Sequence, residues 1–427
     1  MNFTGLPLTL DSSLQGAEQT DKDILDIALE TVRTHLGMDV AYLSEFVGDR
    51  SVFRAVSAPG MEALIKAEDS VGLDEVYCQH ILAGRLPRLI SDTADHPLAL
   101  EIPITQQVPI GSHVSVPVYR ADGSVYGMFC CLSPQPNPTL NTRDLDVMET
   151  FAAIATRELD ATLRRRSERA RMSQRLDEAM GPEGVEIVLQ PIVDLSTRRI
   201  SGFEALSRFT GEPYRSPDQW FADALAIGRQ IELEAYVVSK ALSLLPELPE
   251  GTSISVNASP GTVASGILAG LAAASDPSRI TIELTEHAIV ENFDRVSQEL
   301  DRLRQLGARV AADDVGAGHS GLTQLLRLRP DVIKLDIELV RGIDSNSAKQ
   351  ALVMGMMYFA RDIGARIVAE GIETDEEREA LRTLGVHQGQ GYHLGKPMSL
   401  ARVRDWMSLW EEVAGEPAVL GRLALNG

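Results

Sequence analysis

Two adjacent carboxylates, Asp313 and Asp314, are the residues of this chain best placed to do chemistry. They lie in Arg309-Val-Ala-Ala-Asp-Asp-Val-Gly-Ala-Gly-His-Ser320, which opens as a short strand and ends in a glycine-punctuated loop. Side chains alternate along a strand. Arg309, Ala311 and Asp313 therefore share one face, and Val310 and Ala312 the other. Asp314 breaks the alternation and is placed where the strand gives way to loop. Two carboxylates this close repel unless one takes a proton or a cation sits between them. Taken alone, the pair reads most simply as caps before a turn, where Asp is common. The chemical alternative is a pair of divalent metals with one carboxylate bridging.

The same alternation sorts the neighbouring segments. In Ser253-Ile-Ser-Val-Asn257 the serines and Asn257 oppose Ile254 and Val256. Thr281, Glu283 and Thr285 oppose the aliphatics of 280–284, and Lys334 and Asp336 oppose Ile333 and Leu335. Glu370 opposes Ile367 and Ala369, and Glu204, Leu206 and Arg208 fall together. If each aliphatic set faces helices, the polar sets converge on one axis, and so many acids need cations there. The set is hard oxygen with no clustered His or Cys, which selects Mg2+ or Mn2+ over zinc or copper. Carboxylates and one Asn around two such ions, with a lysine and an arginine nearby, suit phosphodiester hydrolysis.

The elements that must position these residues alternate regularly. Strands are expected at 185–193, 200–208, 253–257, 280–285, 308–313, 331–336, 366–370 and near 387–392. Helices are expected across 217–245 and at 260–274, 292–306, 320–327, 346–363, 375–384 and 399–411. Thr374 followed by Glu377 starts a capping box. About eight strands alternating with helices in roughly 230 residues is what a (β/α)8 barrel requires. An open doubly wound sheet is the alternative, but no glycine-rich phosphate fingerprint follows the first strand.

The first part of the chain reads differently. A helix over 19–36 stops at Gly37. Strands follow at Val40–Val47, Val52–Ser57, Leu89–Ser91, Ser112–Tyr119 and Val125–Leu132, with a short helix at Tyr77–Leu82. Sheet flanked by helices is an α+β arrangement. From Thr139 to Met180 there is neither proline nor glycine, which predicts one helix or two in line. An a/d stripe through Leu145, Met148, Ala152, Ala155 and Leu159 fits either a parallel coiled-coil seam or a helix closing the first domain. The boundaries are therefore a leader at 1–18, a sensor domain at 19–158 overlapped by a connecting helix at 141–180, a barrel at 182–412 and a tail at 413–427.

A net charge of -21 argues against polymeric nucleic acid or an anionic membrane as partner. Cys78, Cys130 and Cys131 form no even framework, which fits a reducing compartment. No basic-then-apolar signal and no bilayer-long apolar run is apparent, so a cytoplasmic location is expected.

Residues 20–158 resemble a GAF domain, through Tyr77-Cys-Gln-His-Ile-Leu-Ala-Gly-Arg85, Ile90-Ser-Asp-Thr93, Ile110-Gly-Ser-His-Val-Ser-Val-Pro-Val118 and Tyr126-Gly-Met-Phe-Cys-Cys131. That family binds cyclic nucleotides, bilins or haem, and the resemblance leaves the ligand here unknown. Bilin-binding members carry Cys-His, whereas Gln79 follows Cys78 here. Residues 182–412 resemble the EAL-domain phosphodiesterases. Glu204-Ala-Leu206 stands inside Phe203-Glu-Ala-Leu-Ser-Arg208, with Gln190-Pro-Ile-Val193, Val256-Asn-Ala-Ser-Pro260, Glu283-Leu-Thr-Glu286, Asp313-Asp314, Ile333-Lys-Leu-Asp336, Ala369-Glu-Gly-Ile-Glu-Thr374 and Gln390-Gly-Tyr392 in order.

The second resemblance implies hydrolysis of cyclic di-GMP to linear diguanylate on a modified (β/α)8 barrel, in a homodimer, with two divalent cations. It implies that Glu204, Asn257, Glu283 and Asp313 hold one metal, that Asp313 bridges and that Asp314 holds the second. Glu370 would bind metal or act as general base, and Lys334 would position or activate the attacking water. Gln190, Leu206 and Arg208 would contact substrate, Gln390 would lie near the metal site, and Glu286 would brace the loop after Asp314. That loop departs from the family's Asp-Asp-Phe-Gly-Thr-Gly-Tyr-Ser at Val315, Ala317 and His319. A receptor that binds cyclic di-GMP without cleaving it, and a hydrolase of another phosphodiester, are the competing functions.

Overall fold

The computed structural model describes residues 25–285, 293–316 and 321–413. The leader, the start of the first helix, Glu286, Ala317, His319 and all but the first residue of the tail lie outside the described residues. The chain divides into two compact units, residues 1–171 and 172–427.

In the first unit, α1 (25–35) ends before Gly37, whose φ is +62°. Then come β1 (Val40–Val47), β2 (Arg50–Ser57), β3 (Ser70–Gly72), α2 (Tyr77–Leu82), β4 (Leu89–Ile90), α3 (Pro97–Glu101), α4 (Pro103–Gln107), β5 (Ser112–Tyr119) and β6 (Val125–Ser133). The strands form one antiparallel sheet in the order β3-β2-β1-β6-β5-β4. Alternation along β6 sends Cys131 into a core with Leu29, Val32 and Met148, and Cys130 into another with Tyr77, Cys78 and Ile81. All three cysteines are free and buried.

A single helix, α5 (Thr142–Ala179), spans 38 residues, about 57 Å at 1.5 Å per residue. Its Met148, Ala152 and Ala155 are buried in the sheet core of the first unit. Burying a side chain such as Met148 is worth about 1.5–3 kcal/mol. That stripe is therefore the closing face of its own domain and not an open coiled-coil seam. Leu176 and Ala179, at the other end of α5, belong to the core of the second unit.

The second unit runs β7 (Val185–Asp194), β8 (Ile200–Phe209), α6 (Pro217–Ala226), α7 (Gln230–Leu242), β9 (Ser253–Asn257), α8 (Pro260–Ala264), α9 (Ile267–Ala273), β10 (Ile280–Thr285), α10 (Phe293–Leu306) and β11 (Arg309–Val315). It continues with α11 (Gly321–Leu328), β12 (Val332–Leu335), α12 (Ile337–Val340), α13 (Ser347–Ile363), β13 (Arg366–Ala369), α14 (Asp375–Thr383), β14 (Gln388–Gly389) and α15 (Leu400–Val413). The strands close into a barrel in the order β10-β11-β12-β13-β14-β7-β8-β9. β7 runs antiparallel to both its neighbours, and the remaining pairs are parallel. Ile254, Ile282, Leu284, Ile333, Leu335 and Ile367 pack outward into the helical layer, as the alternation requires. No helix of the described residues is long and apolar enough to cross a membrane.

Several expectations need correction, and the strand expected near 387–392 is only Gln388–Gly389. The helix expected at 260–274 is two, because Gly266 between them sits at φ +78°. The strand expected to end at residue 313 runs to Val315, with its register shifted between Ala312 and Val315. A short helix, α12, was not foreseen; Asp336 caps it, its carboxylate accepting from Glu338 N at 2.6 Å.

Candidate active site

The barrel strands deliver one buried lysine into a ring of acids. Lys334, on β12, is 2 % exposed, and its Nζ lies 2.6 Å from Glu283 Oε2, 2.7 Å from Glu370 Oε1, 3.0 Å from Asp313 Oδ1 and 3.6 Å from Glu204 Oε2. Glu283 comes from β10, Asp313 from β11, Glu204 from β8, and Glu370 follows the last residue of β13. Strand pairing sets their heights: Glu283 is opposite Asn257 and Ala311, and Thr285 is opposite Asp313. Parallel strands thus bring the acids and the lysine together toward their C-terminal ends, where barrels of this class keep their chemistry.

A chain of amides fixes Glu204. Gln390 Nε2 donates to Glu204 Oε2 at 2.6 Å and to Gln190 Oε1 at 3.0 Å, and Asn257 Nδ2 donates to Glu204 Oε1 at 3.0 Å. Gln190 in turn donates to Gly395 O at 3.2 Å. Burial pushes Glu204 up, but Lys334 and the two amides outweigh it and hold this carboxyl below its usual range. Glu283 is driven well up by burial, against the pull of Lys334 and with the push of Glu204 and Asp313. Burial also lifts Glu370 to about 7, and lifts Asp314, helped by Asp313 and Asp336. Burial pulls Lys334 down, yet Glu283, Glu204, Glu370 and Asp313 together hold its ammonium well above the usual lysine range.

One ammonium cannot balance this set. Asp313, Asp314 and Glu370 each offer an oxygen within 4.8 Å of the others. Two full negative charges at that distance repel by about 3 kcal/mol at an effective dielectric near 20. Asp313 Oδ1 is also shielded from solvent, and Lys334 Nζ, 3.0 Å away, is shared with three other carboxylates. A group of hard oxygens with excess negative charge, one buried and two half-buried, fits divalent cations.

Backbone geometry supports the arrangement. Asp314 sits at φ +55°, the left-handed region, which Asp tolerates better than most residues. Gly316, φ +120°, stands two residues on, and a Cβ there would lie 2.2 Å from Leu339. Gly371, φ +68°, follows Glu370, and a Cβ there would lie 2.2 Å from Ile337. α12 is therefore wedged against the two turns that carry Asp314 and Glu370.

The EAL domain description matches residues 173–397, more than half of the 427-residue chain. This chain belongs to the EAL-domain family. A GAF domain matches residues 18–160, ahead of the EAL domain. A cyclic di-GMP phosphodiesterase of Pseudomonas aeruginosa is 32% identical over 244 residues, 54% of this chain and 42% of that protein. An uncharacterized signaling protein of Caulobacter vibrioides is 28% identical over 384 residues, 87% of this chain and 45% of that one. The chain thus spans less than half the length of either relative. The crystal structure of an EAL domain protein from Listeria monocytogenes superposes with a TM-score of 0.50 at 26% identity, covering 56% of this chain and 98% of that one.

Within this EAL domain, Glu204, Asn257, Glu283, Asp313, Asp314, Lys334, Glu370, Gln190 and Gln390 are brought together. Leu206 and Arg208 are not in that network. They share the Glu204 face of β8, and Arg208 stands four residues on, about 13 Å along the strand. Arg208 Nη1 donates to the Ser207 carbonyl at 2.9 Å. Glu286 lies outside the described residues. The turn glycines Gly316 and Gly371, and α12 between them, were missed as positioning parts. Asp336, two residues before Glu338, was the available cue for a helix start.

Proposed function

We propose that this protein hydrolyses cyclic di-GMP to linear diguanylate with two divalent cations, Mg2+ or Mn2+. One observation carries the reading: among the described residues, Lys334 stands alone against Glu204, Glu283, Asp313 and Glu370, with Asp314 beside them. The substrate is carried over from the Pseudomonas relative's name. Glu204, Asn257, Glu283, Asp313 and Asp314 would hold the cations, with Asp313 shared, and Glu370 would either join them or act as general base. Bound there, the pair supplies Lewis acidity to the phosphoryl oxygens and makes a water more acidic.

The protein's own residues do the rest. Lys334 holds the attacking water in line and stabilises negative charge on the phosphoryl group. Glu370, lifted to about 7, accepts the proton that this water loses. Arg208 reaches a substrate phosphate at the barrel mouth, while Gln190 and Leu206 contact the ligand beside Glu204. Gln390 keeps Glu204 aimed, and Glu286 braces the loop after Asp314. The GAF unit regulates the barrel through α5, and the protein works as a cytoplasmic homodimer.

Chromatography of cyclic di-GMP incubated with the protein and Mg2+ tests the reaction. Linear diguanylate is the expected product, and its formation should be lost in Glu370→Gln with the melting curve retained. Near-normal turnover in that variant would remove Glu370 as the base.

A further inference from the structure

The opposite, N-terminal end of the barrel holds a polar cavity of about 480 Å³, which reaches the undersides of Glu283 and Lys334. Strand alternation builds it. Asp313 and Glu370 point inward at one end of β11 and just beyond β13, so Arg309 and Arg366, at the first positions of those strands, point inward at the other. Neither guanidinium has an ion pair or hydrogen bond among the described residues. Arg309 Nε is shielded from solvent and unpartnered. Burial lowers the affinity of Arg309 for its proton, and its largest charged neighbour is another cation, Arg366. Asp331 also lines the cavity and partly offsets the effect on Arg309, but its carboxylate accepts from Val310 N at 2.9 Å and lies 3.7 Å from Arg304 Nε.

The remaining walls supply neutral hydrogen-bonding groups. Ser255, Thr281 and Gln388 are buried and line the same cavity. None of their polar atoms is among the fully shielded ones without a partner, so they stay open to the cavity, where water answers hydroxyls and amides as well as a ligand does. Water does not supply the countercharge for two guanidiniums that no carboxylate of the described residues pairs directly. Guanidinium forks match a tetrahedral oxyanion, which takes several donors at once.

We propose that the barrel floor is a binding site for a small tetrahedral oxyanion of the phosphate class, held by Arg309 and Arg366 with Ser255, Thr281 and Gln388. The site opens at the end of the barrel opposite Asp313, Asp314 and Glu370, with Glu283 and Lys334 between, and does not depend on the proposed reaction.

The test is a titration of the full-length protein with inorganic phosphate in EDTA, at ionic strength held constant with chloride, read by thermal shift and calorimetry. EDTA leaves the carboxylate site anionic and repellent to phosphate. The expected result is saturable stabilisation whose midpoint rises about tenfold or more in Arg309→Gln and in Arg366→Gln, but not in Arg208→Gln. Without phosphate, Arg309→Gln should be no less stable than the parent, because its Nε loses no partner. If that variant fails to fold, Arg366→Gln, altered at an exposed strand start, decides alone. Absence of saturable stabilisation in the parent overturns the proposal. So does stabilisation that both floor variants keep or that Arg208→Gln abolishes.

Discussion

Lys334 decides the electrostatics of the barrel. It is the cation that lets four carboxylates share a buried space, so removing it leaves charge with nothing to answer it. Breaking a buried pair costs about 3–5 kcal/mol. Lys334→Met should therefore melt well below the parent in EDTA, and Mg2+ should recover part of the loss; equal melting in EDTA would contradict the charge balance drawn here. Asp313→Ala should abolish turnover. Gln390→Ala removes the 2.6 Å donor to Glu204, and should weaken metal affinity by about 10–100-fold, measurable by Mn2+ titration. Most of this constellation was legible in the sequence. Alternation alone put Glu283, Asp313 and Lys334 on one face, because period-two strands leave little freedom once their aliphatic faces are buried. The bulge at Asp314 was legible only as a break in the pattern. Alternation carries no information on a left-handed residue that lets the strand continue to Val315.

At the scale of elements, two short pieces matter more than their length suggests. α12 fills the space beside Gly316 and Gly371, and a methyl group at residue 371 would meet Ile337 at 2.2 Å with φ held at +68°. Gly371→Ala should cost about 1–3 kcal/mol and displace Glu370, lowering kcat more than it raises KM. An unchanged kcat would remove the wedge as a positioning device. α12 escaped sequence reasoning because four residues give no helical period to read. In the first unit, β5 buries His113 at 1 % exposure, edge-on to Tyr77 at 5.0 Å. Burial depresses its pKa to about 3, against about 6.5 in the unfolded chain. Between these values the unfolded state binds the proton and the folded state does not. Stability of this unit is full above pH 6.5 and falls with acid, by about 2 kcal/mol at pH 5. His113→Leu should flatten that dependence in urea titrations; an identical slope would show that His113 does not control it.

For the whole molecule, α5 is the continuous link, with Met148, Ala152 and Ala155 in one core and Leu176 and Ala179 in the other. The absence of Pro and Gly from 139–180 predicted its length. The stripe's destination was not readable, because a seam that meets a sheet and one that meets a partner helix look alike in sequence. Proline at the exposed Glu168 would cost the helix about 3 kcal/mol without entering either core. If α5 transmits regulation, Glu168→Pro should change basal turnover while both units keep their melting transitions; unchanged turnover would argue against transmission. The role proposed for the acid ring around Lys334 is metal-dependent hydrolysis. Turnover of cyclic di-GMP by the full-length protein with Mg2+, with Mn2+ and with EDTA tests it most directly. Linear diguanylate with either metal and none in EDTA is the predicted result. Product that persists in EDTA would contradict the metal site, and tight nucleotide binding with no product under any condition would contradict catalysis.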